Sequence, residues 1–258
     1  MSLYFKYFAI QLKSQMQYKL SFFLTLVAQF LISFTEVAGI YFMFSSLSIV
    51  ENYTLEEIFL CYSAVLMAFS IAQTFMRGFD MFPRMLGNGQ FDRILVRPLN
   101  VIFQVTASQM DFGRLGRLLQ AAIILGIAIP NSGVIWTWDK IVTYVLMIIC
   151  GCLVFSGLFI IYAAFSFFTT EGLEFMNILT DGGAILGKYP FSVYGKGILH
   201  FLTFIVPLAL FQYYPLQYLL DRQDSIFYMI APTLSLLFLI PSCIFYRFGL
   251  KRYSSSGS

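Results

Sequence analysis

Apolar residues in this chain come in long uninterrupted blocks, not in the alternation of a strand or the one-sided stripe of a surface helix. The blocks run from about Ser21 to Phe44, Ile58 to Met76, within Val101 to Ile129, Ile141 to Phe168, Ile198 to Tyr214 and Ile226 to Tyr246. A helix of about 20 apolar residues crosses a hydrocarbon layer about 30 Å thick. The pattern therefore predicts six transmembrane helices, over 21–44, 58–76, 110–129, 141–168, 198–214 and 226–246, the fifth of them short. Asp111, Arg114 and Arg117 interrupt the third block, so its second half is the part expected in lipid. Asp111 and Arg114 stand at i, i+3 and are expected to pair on one helix face.

A polar, basic stretch from Arg77 to Asn100 separates the second and third blocks. Phe79, Phe82 and Leu86 sit at i, i+3 and i+7, the spacing of a short amphipathic helix. Gly87-Asn88-Gly89 predicts a turn. Phe91, Ile94 and Leu95 begin a second stripe, with Arg93 and Arg97 one turn apart, and Pro98 should end that helix near Val96 or Arg97. On pattern alone, two such helices suit either a lipid surface, with the arginines on head groups, or a docking knob for a soluble partner.

Composition narrows the class. The 258 residues are 59% hydrophobic and 11% charged, against about 25% charged in soluble domains. The reading is an all-α polytopic membrane protein, one transmembrane domain over 1–258, without internal repeats or a long linker. Membrane lipid is its solvent. A net charge of +3, not gathered into a stripe, argues against nucleic acid. If both termini face the cytoplasm, 14 of the 16 basic residues fall inside, Lys188 and Lys196 among them, and only Lys140 and Arg222 outside. The positive-inside rule therefore selects N-in, C-in. Trp136, Trp138 and Tyr144, and likewise Tyr213, Tyr214 and Tyr218, are placed as aromatic belts at the outer surface. The N-terminal segment is expected to be retained, and Ser254 to Ser258 to form a flexible tail.

Catalytic and metal chemistry find little support. His200 is the single histidine, so no histidine cluster or triad can be built. Cys61, Cys150, Cys152 and Cys243 lie in apolar runs and read as buried small residues. Gly182 to Lys188 fits the spacing of a phosphate loop, but Tyr189 stands where Ser or Thr must hold magnesium, so the glycines read as a flexible segment. Glu36 lies inside the first block, where a carboxylate is expensive. It is a candidate for the substrate path, or for pairing with a charge on another subunit. Pro207, Pro232 and Pro241, within the last two blocks, are hinge candidates.

Gly89-Gln90-Phe91-Asp92-Arg93-Ile94-Leu95-Val96-Arg97-Pro98-Leu99 resembles the G-x-[LF]-D-x-x-L-x-R-P-L signature of ABC-2-type transporter permeases, in the six-span branch of about 260 residues. Tyr189 to Gly195 looks like that branch's Y-P-x-x-[IV]-Y motif, and Leu202 to Pro207 with Tyr214-Pro215 like its apolar-proline segment. The resemblance implies a permease subunit of an exporter without an ATPase site of its own. ATP and magnesium would be bound by a separate nucleotide-binding subunit. It also implies a second permease, either the same chain or a sister, and a cell-membrane location, expected to be bacterial. In that family the segment between spans two and three couples to the ATPase, which puts the role on Phe79, Phe82, Met85, Phe91, Asp92, Arg93, Arg97 and Pro98. Arginines would bond to the partner and phenylalanines would fill its pocket. The aromatic content leans the expected cargo toward hydrophobic or amphiphilic molecules. The alternative is a non-transporting scaffold or receptor that recruits a signalling protein through the same helices.

Overall fold

The computed structural model describes residues 3–46, 52–169 and 174–253, and the tail from Ser254 lies outside them. Among the described residues there are fifteen α-helices and no strand. A peripheral helix α1 (Leu3–Met16) leads into α2 (Lys19–Ser46), and α3 (Leu55–Phe75) returns. Four short helices follow: α4 (Arg77–Asp80), α5 (Phe82–Gly87), α6 (Gln90–Leu95) and α7 (Val101–Ser108). Then come α8 (Leu115–Asn131) and α9 (Trp138–Phe165), and two short helices, α10 (Glu174–Leu179) and α11 (Asp181–Leu186). Helices α12 (Lys196–Phe204) and α13 (Leu208–Leu219) precede α14 (Ile226–Ser235) and α15 (Leu239–Arg252).

Five helical segments are long and apolar enough to span a membrane: Lys19–Ser45, Leu55–Phe75, Phe112–Asn131, Trp138–Phe165 and Ile226–Arg252. Helix α3 is the axle of the bundle, buried along nearly its whole length and packed against both α8 and α9. Its first turn is held by a capping box, in which the Thr54 hydroxyl accepts from the Glu57 N–H and the Glu57 carboxylate accepts from the Thr54 N–H. Thr54→Ala is expected to cost about 1 kcal/mol, read as a small fall in the detergent-solubilised melting temperature. Helices α2 and α8 close on one another at Gly116, where a methyl group would collide with the Leu26 carbonyl oxygen.

Contacts sort the elements between two ends. At the near end Gln11 donates to the Ser108 carbonyl at 2.6 Å, Phe8 meets Phe112, and Tyr253 meets Phe91, so both described termini lie there with the 77–100 segment. At the far end the Tyr144 hydroxyl donates to the Leu60 carbonyl, Lys140 pairs with Asp221 at 2.6 Å, and Arg222 pairs with Glu57 at 2.8 Å while lying over the Tyr53 ring.

The fifth crossing departs from expectation. The run 198–214 is not one span but the helices α12 and α13, bent 113° apart at Ile205 to Pro207. Both ends of this pair reach one far-end hydroxyl: Ser192, just before α12, lies 3.4 Å from Tyr53 Oη, and Gln217 in α13 donates to it at 2.5 Å. The pair is thus a re-entrant hairpin. It dips to Leu208, against Gly183, and Phe211, against Phe155, then returns. The crossing itself is made by 174–194. Phe175 touches Phe165 at the near end of α9, Asp181 accepts from Gln73, Lys188 pairs with Glu36, and Ser192 reaches Tyr53. Glu174, Asp181, the glycines and Pro190 lower the hydropathy of this stretch, while the hairpin is apolar, so hydropathy favours the wrong segment. The placement of Lys188 and Lys196 on the same side as the termini is corrected with it. Lys188 is at mid-depth, and Lys196 starts the hairpin at the far end.

Of the hinge candidates, Pro207 therefore lies at the hairpin turn. Pro232 and Pro241 lie within the last crossing, which stays continuous through a tight turn at Leu236–Phe238. That turn contains Leu237, whose carbonyl Pro241 cannot serve because it has no N–H.

Candidate functional site

The 77–97 segment folds as three short helices with one face turned inward. Gly89 adopts φ 64°, a left-handed conformation that glycine tolerates, and so lets α6 start directly after α5. Phe79, Phe82 and Phe91 are each 0% exposed, and Met85 is also buried. Their rings form a plug with Phe167, just past α9, and with Tyr246 and Tyr253 at the end of the chain. Phe82–Phe91 centroids are 5.0 Å apart, Phe82–Phe167 5.1 Å, Phe91–Tyr253 5.1 Å and Phe79–Tyr246 5.5 Å, mostly edge-to-face. That arrangement suits the ring quadrupoles. The Tyr253 hydroxyl donates to Asp92 at 3.0 Å, and burial together with this bond pushes its pKa up. Arg77 pairs with Asp80, whose carboxyl is raised by burial against the pull of that arginine.

This placement corrects the expected anchor role of Phe79, Phe82, Met85 and Phe91, which fill the protein's own pocket and not a partner's. The outward face carries Arg84, Gln90, Arg93, Leu95, Val96, Arg97, Pro98 and Leu99, all exposed, with Val96 at 83%. Three arginines around an apolar patch can bond carbonyls or carboxylates and bury Val96 against a partner. An amphipathic stripe shows that one face is apolar, but not whether lipid, a partner or the chain's own aromatic residues cover it.

A second site lies at mid-depth. Helix α3, 21 residues and about 31 Å long, matches the hydrocarbon thickness. Leu66 and Phe69, near its middle, line a cavity of ≈ 140 Å³ together with Glu36, Arg117, Asp181, Ala184, Ile185 and Lys188. Glu36 and Lys188 pair at 2.9 Å, their side chains 34% and 13% exposed. Asp181 accepts from Gln73 at 3.4 Å. Arg117 Nε is buried with no hydrogen-bond partner among the described residues. Arg114 takes the other expected pairing, to Asp111 at 3.1 Å. The glycines of the apparent phosphate loop serve packing. Gly183 admits Leu208 of the hairpin, and Gly187 lies against Val65. The Gly187 and Tyr189 carbonyls accept from Gln212 in α13, satisfying backbone that the broken crossing leaves open. His200 makes an ordinary bond to the Lys196 carbonyl.

A chain with helices crossing a membrane, a re-entrant hairpin and a charged cavity at mid-depth has the build of a multi-pass transport protein. The profile of a family described as ABC-2 family transporter protein matches residues 30–257, and the chain belongs to that family. It is accordingly a permease subunit of an ABC transporter, a membrane component that does not itself hydrolyse ATP and works with a nucleotide-binding subunit. No curated protein and no solved structure matches it.

Proposed function

We propose that this chain forms half of the translocation pathway of an ATP-driven exporter, with its near end in the cytoplasm. Charge supports that orientation. Eleven basic residues lie at the near end and three (Lys140, Lys196 and Arg222) at the far end, with Arg117 and Lys188 in the cavity. A bacterial plasma membrane fits this orientation.

The observation that carries the proposal is the exposed arginine rim seated on a buried aromatic plug. A nucleotide-binding subunit grips Arg84, Arg93, Val96 and Arg97. When ATP and magnesium, both held by that subunit, close it, its movement pushes α5 and α6. The plug passes the push to the ends of α9 and α15, because packed rings shift together and do not compress. The last crossing, weakened at Pro232 and Pro241, and the hairpin turning at Pro207 are the elements that yield.

The other half of the pathway is a second permease, a copy or a sister chain. Glu36 supports this. A carboxylate one-third exposed at membrane depth does not face lipid, so the cavity mouth faces protein or a watery path. The apolar side of α2, with Phe23, Phe34 and Phe42 more than half exposed, offers additional surface for it or for lipid.

The test is charge reversal on the rim. Arg93→Glu with Arg97→Glu is expected to leave membrane insertion and melting temperature unchanged, since exposed substitutions move stability by about 0.5 kcal/mol or less. The co-purifying ATPase and its substrate-stimulated activity are expected to fall at least about tenfold, a loss of about 1.4 kcal/mol of coupling. Normal coupling in that variant would remove the rim from the mechanism. Recovery of a kinase or another soluble regulator in place of an ATPase would favour a recruiting scaffold.

A further inference from the structure

The geometry points to the mid-depth cavity as a binding site for a dipolar head group, one bearing an ammonium and a phosphate or carboxylate, on an amphiphilic ligand.

Four ionisable side chains from three helices and the turn after one of them border the cavity: Glu36 from α2, Arg117 from α8, Asp181 from α11 and Lys188 just past it. Two are cationic and two anionic. A site for an anion would not carry two carboxylates, and a site for a cation would not carry two bases. The pairing is also incomplete. Glu36 and Lys188 pair with one another, and Asp181 has Gln73, but Arg117 makes no hydrogen bond among the described residues, and its buried Nε is left open. Glu36 and Asp181 attract this guanidinium through space but do not hydrogen-bond it, which leaves its donors open at membrane depth, where a charge calls for a partner. An anionic oxygen of a ligand would supply that partner, bidentate if it is a phosphate or carboxylate. The ligand's ammonium would then sit against Asp181 or Glu36.

The rest of the lining, Leu66, Phe69, Ala184 and Ile185, is apolar. The volume of ≈ 140 Å³ admits a head group but not a chain, so acyl or other apolar tails must leave through the mouth. Ile185 is 57% exposed, which places an apolar side chain at that exit. The crossing that supplies Asp181 and Lys188 is itself broken, and its backbone is held by Gln212 of the hairpin. A ligand that competes for Lys188 would therefore act on the stretch that Gln212 ties to the hairpin.

This inference rests on the permease reading for its cargo role, but not for binding, so the two can fail separately. The chain, purified in a neutral detergent, is titrated with tail-labelled fluorescent phosphatidylethanolamine, phosphatidylglycerol and diacylglycerol. Phosphatidylethanolamine is expected to bind with a Kd at least about tenfold lower than either of the others. Arg117→Gln is expected to abolish its advantage over diacylglycerol, and Glu36→Gln to shrink its advantage over phosphatidylglycerol. Arg117→Gln is expected to leave the melting temperature nearly unchanged, because no hydrogen bond is lost, whereas a structural role for Arg117 as counter-charge to Glu36 and Asp181 would lower it. Equal affinity for the three probes, or wild-type selectivity in Arg117→Gln, would overturn the proposal even if ATPase coupling is normal. Selective binding without a nucleotide-binding partner would keep the site and remove the transport role. In proteoliposomes of the full complex, ATP-dependent movement of the labelled lipid across the bilayer would identify it as cargo. Binding without movement would identify a resident lipid held by the same head-group chemistry.

Discussion

Phe91→Ala is expected to lower the stability of this protein by about 3–5 kcal/mol, the range for removing a large buried aromatic ring. In a chain of this size that corresponds to a fall of roughly 6–20 °C in melting temperature. The ring is fully buried and touches Phe82, Phe167 and Tyr253, so its loss leaves a cavity bordered by three elements that cannot all collapse into it. Tyr253, tied to Asp92 by its hydroxyl, would lose its packing partner and release the chain end. Thermal scanning of purified protein checks the size of the effect. The exposed Arg93 and Arg97 offer the contrast: replaced by alanine, they should leave the melting temperature in place while lowering ATPase coupling. If Phe91→Ala behaved like the arginine variants, the ring would have to be exposed to a partner and not buried in the chain.

Removing one member of the Glu36–Lys188 pair should be the next most damaging change. Lys188→Ala strands a carboxylate at membrane depth, with a cost of roughly 1–4 kcal/mol, below the full buried-pair figure because a third of Glu36 is exposed. Lys188→Glu should be worse, since it places two carboxylates side by side. The exchange Glu36→Lys with Lys188→Glu should recover most of the loss, because the pair is rebuilt with its members swapped. A double-mutant cycle on melting temperature measures this coupling directly. Additive effects, with no recovery in the exchange, would mean that the two side chains do not meet.

Much of the architecture is legible in the order of apolar blocks. The five long spans, the turn at Gly87 to Gly89, the stop before Pro98 and the Asp111–Arg114 pair all follow from local rules that act within one helix or its neighbouring turn. What is not legible depends on contacts far apart in sequence. Hydropathy takes 198–214 as a span, because it weighs composition and cannot detect that Ser192 and Gln217 reach the same tyrosine hydroxyl. The polar 174–194 stretch can cross only because Gln212, Gln73 and Glu36 satisfy its backbone and charges. Glu36 is suspicious in sequence, but its partner is 152 residues away and lies in a segment that reads as surface. Phe79, Phe82 and Phe91 show the same limit. Their spacing defines an inward face, and only the packing of Phe167, Tyr246 and Tyr253 shows that this face is already filled.

Docking of an ATPase on the arginine rim at the near end can be probed by site-specific photo-crosslinking in native membranes, with a photoreactive residue at position 97 or at position 222. Position 97 is expected to capture a nucleotide-binding subunit, and position 222 is not. Capture from position 222, or from neither position while the complex still co-purifies, would contradict both the docking surface and a cytoplasmic near end.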